Sequence, residues 1–118
     1  MRLNFITIMV RNMEKSLIFY QELVGLQVIN RMSLEKGKIV FLANSKEETM
    51  LELIEFKGEE KVRTESLVMS YSAEEPLEDI REKALELGYS PSDIVEQGMK
   101  PKHFTVEDPD GIAVEFIK

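Results

Sequence analysis

The sequence predicts an α+β fold in which two βαβββ modules form a cup-shaped, partly closed, eight-stranded mixed sheet with helices on the outside. Three observations predict it. Leu3 to Val10 alternates with a period of two and is followed from Met13 by helical spacing. The same order of elements restarts after a charged stretch near the middle of the chain. A strong turn signal, Asp108-Pro109-Asp110-Gly111, then separates the last two strands.

In the first strand, Leu3, Phe5, Thr7 and Met9 point one way and Ile6, Ile8 and Val10 the other. Asn12 offers an N-cap, and Met13, Leu17, Tyr20 and Val24 carry an apolar helical stripe until Gly25 supplies a stop. Strands are expected at Leu26 to Ser33, Lys38 to Ala43 and Thr49 to Phe56, separated by Glu35-Lys36-Gly37 and the polar run Asn44 to Glu48. In the second half, Ser66 to Ser72 reads as a strand. Pro76 suits the first turn of a helix carrying Leu77, Ile80, Ala84 and Leu87 and closed by Gly88. Strands should follow at Tyr89 to Val95, which Pro91 interrupts, at Lys102 to Glu107 and at Ile112 to Ile117.

The first strands of the two halves are placed 61 residues apart, at Phe5 and Ser66, and the closing glutamates 63 apart, at Glu52 and Glu115. A half that cannot bury its own sheet face pairs with its twin, which makes one domain of residues 1–118. Its parts are a module at 1–57, a linker at 58–65 and a module at 66–118.

Composition removes several classes of function. The chain has no cysteine, so it has no disulfide framework, no thiolate nucleophile and no zinc-thiolate centre. Its net charge of -7 sets its field against phosphate backbones and anionic membranes, so neither nucleic acid nor membrane is an expected partner. The N-terminus shows no signal-peptide core, and no apolar run approaches a membrane span, which gives a cytoplasmic expectation. Glycine-rich phosphate loops and serine-histidine-aspartate arrangements are absent.

Three segments resemble the vicinal oxygen chelate superfamily, which includes glyoxalase I, bleomycin-resistance proteins and extradiol dioxygenases. They are Ile6 to Tyr20, ITIMVRNMEKSLIFY; Met50 to Ile54, MLELI; and Phe104 to Ile117, FTVEDPDGIAVEFI. The resemblance implies the cup-shaped fold. It also implies, for the metal-dependent members, four inward ligands at positions that fall here on Phe5, Glu52, Ser66 and Glu115. Phe5 has no donor atom and Ser66 only a hydroxyl, where the family's metal-dependent members use histidine. No cofactor is therefore expected, and Glu52 and Glu115 remain as residual candidates for a divalent metal.

Glu52 lies between Leu51 and Leu53, and Glu115 between Val114 and Phe116. If those apolar neighbours face the core, both carboxylates face the cup; otherwise both are solvated positions on a half-exposed sheet. Facing one cavity, the pair could move a proton or attract a cation. Phe5, Thr7, Met9 and Met50 would line the same cup. His103 is the only histidine, and a four-residue turn pairing Glu107 with Ile112 would set it opposite Phe116, on the outer face. The leading expectation is a homodimer that binds a small, cationic or aromatic molecule without a full metal site. The alternatives are a divergent glyoxalase-like lyase, isomerase or epimerase acting on a vicinal-oxygen substrate through Glu115 and Glu52, and a regulatory partner-binding subunit.

Overall fold

Patterning becomes structure in a computed structural model that describes all of residues 1–118. The chain divides into two compact units, residues 1–63 and 64–118, and the division falls inside the charged segment expected to link the modules. No helix is long and apolar enough to cross a membrane.

In the first unit, strand β1 (Phe5–Met9) leads into helix α1 (Met13–Ile18), which continues as a π-helical segment over Phe19–Leu23. Strands β2 (Gln27–Leu34), β3 (Gly37–Ala43) and β4 (Met50–Phe56) complete a four-stranded sheet in the order β1-β4-β3-β2. β1 runs parallel to β4, and the other neighbours are antiparallel. The start of α1 is held twice. The Asn12 side chain accepts from the Lys15 amide at 3.0 Å, and Glu55 on β4 accepts from the Met13 amide at 2.6 Å. Two of the amides that a helix start leaves unpaired are thereby satisfied. The widened π turn lets Phe19, Tyr20 and Leu23 all be buried together with Met13 and Ser16. On β4, Leu51 and Leu53 are buried, as are Ile8 of β1 and Val10 just after it, so the period-two reading of both strands holds.

In the second unit, strand β5 (Val68–Ser72) is followed by helix α2 (Leu77–Glu86) and by strands β6 (His103–Glu107) and β7 (Ala113–Ile117). The sheet order is β5-β7-β6, with β5 parallel to β7. Leu77, Ile80 and Ala84 of α2 are buried, as are Phe104, Val106, Val114 and Phe116, and α2 packs against β6. The Phe104 and Phe116 rings stack with centroids 5.2 Å apart. Pro76 occupies the N-cap position, one residue outside the helix, and its carbonyl accepts from the Asp79 and Ile80 amides.

Two expectations need correction. The strand expected at Tyr89 to Val95 does not form, so this sheet has three strands and the chain seven. Only an isolated bridge between Val95 and His103 survives. Pro91 has no amide to give a ladder, and the Ser92 hydroxyl substitutes locally by accepting from the Thr105 amide at 2.9 Å. The closing hairpin is also one residue longer than expected. Glu107 pairs with Ala113 and not with Ile112, because the Ile112 amide bonds to the buried Asp108 carboxylate at 2.9 Å. The same oxygen accepts from the Asp110 amide at 2.8 Å, and Gly111 takes a φ of 85°.

Candidate functional site

Each unit presents a glutamate from its β4 or β7 strand on the sheet face opposite its buried leucines, valine and phenylalanine; in the second unit the exposed Glu107 lies at the end of the same face. In the first unit, Thr7 on β1 is the direct partner of Glu52 on β4, and its hydroxyl donates to Oε1 at 2.6 Å. Phe41 on β3 is the partner of Glu52 on the other side. Phe5 pairs with Met50 and Met9 with Ile54, so Phe5, Thr7, Met9, Met50 and Glu52 share one face, as alternation implies. The Phe5 and Phe41 rings meet at 5.1 Å with a 59° tilt, and Phe5 remains 47% exposed. No lysine or arginine pairs with Glu52, whose carboxylate is half-buried.

The second unit repeats the hydroxyl–carboxylate contact. Ser70 on β5 is the direct partner of Glu115 on β7 and donates to Oε1 at 2.7 Å. The other oxygen, Oε2, is taken by the ammonium of Lys100. Glu115 is 4% exposed, whereas the Lys100 side chain is about half exposed. Burial alone would push the Glu115 carboxyl up. The hydrogen bonds from Lys100 and Ser70, with the charges of Lys100 and His103, outweigh it and hold the group below its ordinary value.

The expectation that His103 lies on the outer face is overturned by the register. With Phe104 opposite Phe116 and Thr105 opposite Glu115, His103 pairs with Ile117 and shares the Glu115 face. Its Nδ1 lies 2.8 Å from the Pro101 carbonyl oxygen. A carbonyl can only accept, so Nδ1 donates. On the opposite face, burial and the Asp108 charge push the Tyr71 phenol up to about 12.

Ser66 does not join these residues. It precedes β5, is exposed, and its amide bonds to the Thr64 hydroxyl. The register makes Val68, not Ser66, the counterpart of Phe5: Phe5 and Val68, Thr7 and Ser70, and Glu52 and Glu115 are all 63 positions apart. Reading the glutamate spacing through the whole module would have found Ser70. Lys100 had no such signal, since it sits in an irregular segment before β6.

Within either unit the donors on this face do not fit a transition-metal site of the kind the resemblance implies. Phe5 and Val68 have no donor atom, and Glu115 already holds an ammonium cation on Oε2. No group of three or more histidine, aspartate or glutamate side chains could hold a metal ion. The arrangement offers two chemically different carboxylates. Glu115 is charge-compensated and fixed, and Glu52 is free to receive a cation or a hydrogen-bond donor among apolar side chains.

Comparison with known proteins agrees with this architecture. The sequence pattern of the glyoxalase/bleomycin resistance protein/dioxygenase superfamily matches residues 2–116. Lactoylglutathione lyases of Neisseria meningitidis serogroups A and B are each 29% identical over 127 aligned positions, spanning the whole chain and 91% of the relative. Among solved structures, the trypanothione-dependent glyoxalase I of Leishmania major superposes with a TM-score of 0.82 at 22% identity, covering 100% of this chain and 86% of that one. TnmS3, an antibiotic binding protein from Streptomyces sp. CB03234, gives 0.75 at 18% identity, covering 99% and 94%. At such identities these structures share the fold.

Proposed function

Because the chain belongs to the glyoxalase/bleomycin resistance protein/dioxygenase superfamily, we propose that it binds a small organic molecule on its glutamate-bearing sheet surface without a full metal site. The observation that carries this reading is Glu52. It is an uncompensated carboxylate bonded to the Thr7 hydroxyl and flanked by Phe5, Phe41 and Met50, on a face where Phe5 and Met32 stay exposed. Apolar side chains around one half-buried charge suit a flat, cationic ligand: the rings take its body and the carboxylate its positive group. The likeness to an antibiotic binding protein supports binding as the end in itself. The protein works in this reading as a cytoplasmic homodimer.

Thermal unfolding with a panel of cationic aromatic compounds tests it. At least one should raise the midpoint in the wild type, with the shift lost in E52Q, because a ligand that binds only the folded state stabilises by mass action. A panel with no shift, or shifts equal in E52Q, would overturn the reading.

A second reading is kept for one reason, the full-length 29% identity to lactoylglutathione lyases. In it the chain is a divergent lyase, isomerase or epimerase in which Glu52 or Glu115 moves a proton. Elemental analysis of protein purified without chelators, together with a hemithioacetal turnover assay, separates the two. Stoichiometric metal with turnover would favour the enzyme.

A further inference from the structure

The turn end of the β2–β3 hairpin holds a concavity of about 490 Å³ whose charge is opposite to that of the chain. It is lined by five basic residues, Arg11, Lys36, Lys38, Lys57 and Lys61, against two acidic ones, Glu35 and Glu55. The lining therefore carries a formal +3 in a protein of net charge -7. The excess is gathered at one spot of a unit that is itself close to neutral, and a concave wall of one sign concentrates counter-charge.

The fold builds this site for identifiable reasons. Gly37 pairs with Phe56 and Lys38 with Glu55, and the Lys57 amide donates to the Lys36 carbonyl at 3.0 Å, so the hairpin turn and the end of β4 are tied together. Two lysines are fixed around Phe56. Lys36 stands 4.7 Å over its ring, and Lys61 donates to its carbonyl oxygen at 2.8 Å. Glu55 turns one oxygen to the Met13 amide at the start of α1, which draws that negative charge toward the helix. Lys38 and Lys57 make no ion pair. Lys38 and Glu55 are a cross-strand pair on the helix-bearing face, opposite to Glu52; Phe56 and Leu34 lie on the Glu52 face but at the end of the sheet, and the lining includes none of Phe5, Thr7, Phe41 or Glu52, so this concavity is distinct from the carboxylate surface described above.

We propose that this concavity binds a small phosphate-bearing anion. Lysine ammonium groups act as mobile point charges suited to a tetrahedral dianion. The four lysines alone exceed the two glutamates by two positive charges, which matches a dianion better than a monocarboxylate. Exposed Leu34 and half-buried Phe56 border the same space and offer an organic phosphate a surface for its body.

The test uses inorganic phosphate and phenyl phosphate, titrated at constant ionic strength and followed by amide chemical shifts of the full chain. Both should bind saturably at millimolar concentration or tighter, with shifts confined to residues 33–38 and 55–61. K38E/K57E should weaken binding by at least about tenfold, because reversal of two charges adds repulsion to the lost attraction. K38Q/K57Q should weaken it less, and K46E, outside the concavity, should leave it unchanged. Tighter binding of phenyl phosphate assigns the site to an organic phosphate, and equal affinities assign it to the free ion. Absence of saturation for both probes, or an unchanged affinity in K38E/K57E and K38Q/K57Q alike, would overturn the proposal. Neither result depends on whether Glu52 binds a ligand.

Discussion

At the scale of single residues, the same contact recurs with different electrostatics. Thr7 and Ser70 each donate a hydroxyl to the glutamate beside them, yet only Glu115 meets a lysine. That difference has a consequence for pH. A carboxyl held below its ordinary value contributes stability that is fully present above about pH 4.3 and is lost as the pH falls through its folded-state value. Glu115 is such a group, its burial outweighed by Lys100, Ser70 and His103. E115Q has no carboxyl at that position to titrate. The wild type should therefore be the more stable protein at pH 7, and the gap should narrow toward pH 3, as measured by urea unfolding at a series of pH values. A gap that stays constant or widens in acid would contradict the assignment. The alternation around Glu52 and Glu115 was readable from the sequence, because leucine, valine and phenylalanine neighbours fix the face. Lys100 was not, because its contact is made across 15 positions from a segment without periodicity.

At the scale of elements, periodicity was a sound guide wherever backbone bonding was regular and a poor one where side chains replaced it. β1, β3, β4 and α2 lie close to their expected bounds. The Tyr89 to Val95 strand and the hairpin register failed for a common reason: the Ser92 hydroxyl and the Asp108 carboxylate took amides that a ladder would have used. Close backbone approach is another feature that alternation does not reveal. Gly37 has a φ of 150°, and a Cβ there would lie 1.9 Å from the Glu55 carbonyl oxygen. Gly58 also has positive φ, at 78°, but a Cβ there would meet nothing within 4 Å. Gly58→Ala should thus cost about 1 kcal/mol, the conformational penalty alone. Gly37→Ala should cost about 2 kcal/mol or more, since β3 and β4 must separate to admit the methyl group. Denaturant midpoints of the two variants check the order, and equal losses would show that the β3–β4 contact is not a constraint.

At the scale of the whole molecule, the net charge conceals an uneven distribution. Residues 1–63 carry ten basic and nine acidic side chains, whereas residues 64–118 carry five and thirteen, so the second unit alone holds a formal -8. Its favourable pairs are few. Lys102 with Glu78 and Arg81 with Asp93 involve exposed groups and contribute little in water, whereas Lys100 with Glu115 reaches a buried carboxylate. Unpaired acids such as Glu74, Glu75, Glu82, Glu86 and Glu107 repel one another across a small body. Salt shortens the reach of that repulsion from about 30 Å at 0.01 M to about 8 Å at 0.15 M. Raising sodium chloride through this range should therefore increase the amide-exchange protection of β5, β6, β7 and α2, while β1 to β4, in a unit with a formal charge of +1, should change little. Hydrogen exchange resolved by peptide reads the two units in one sample. Equal protection gains in both would mean that salt acts through general burial of apolar surface. Gains confined to residues 64–118 would identify self-repulsion as a force the second unit must overcome to fold.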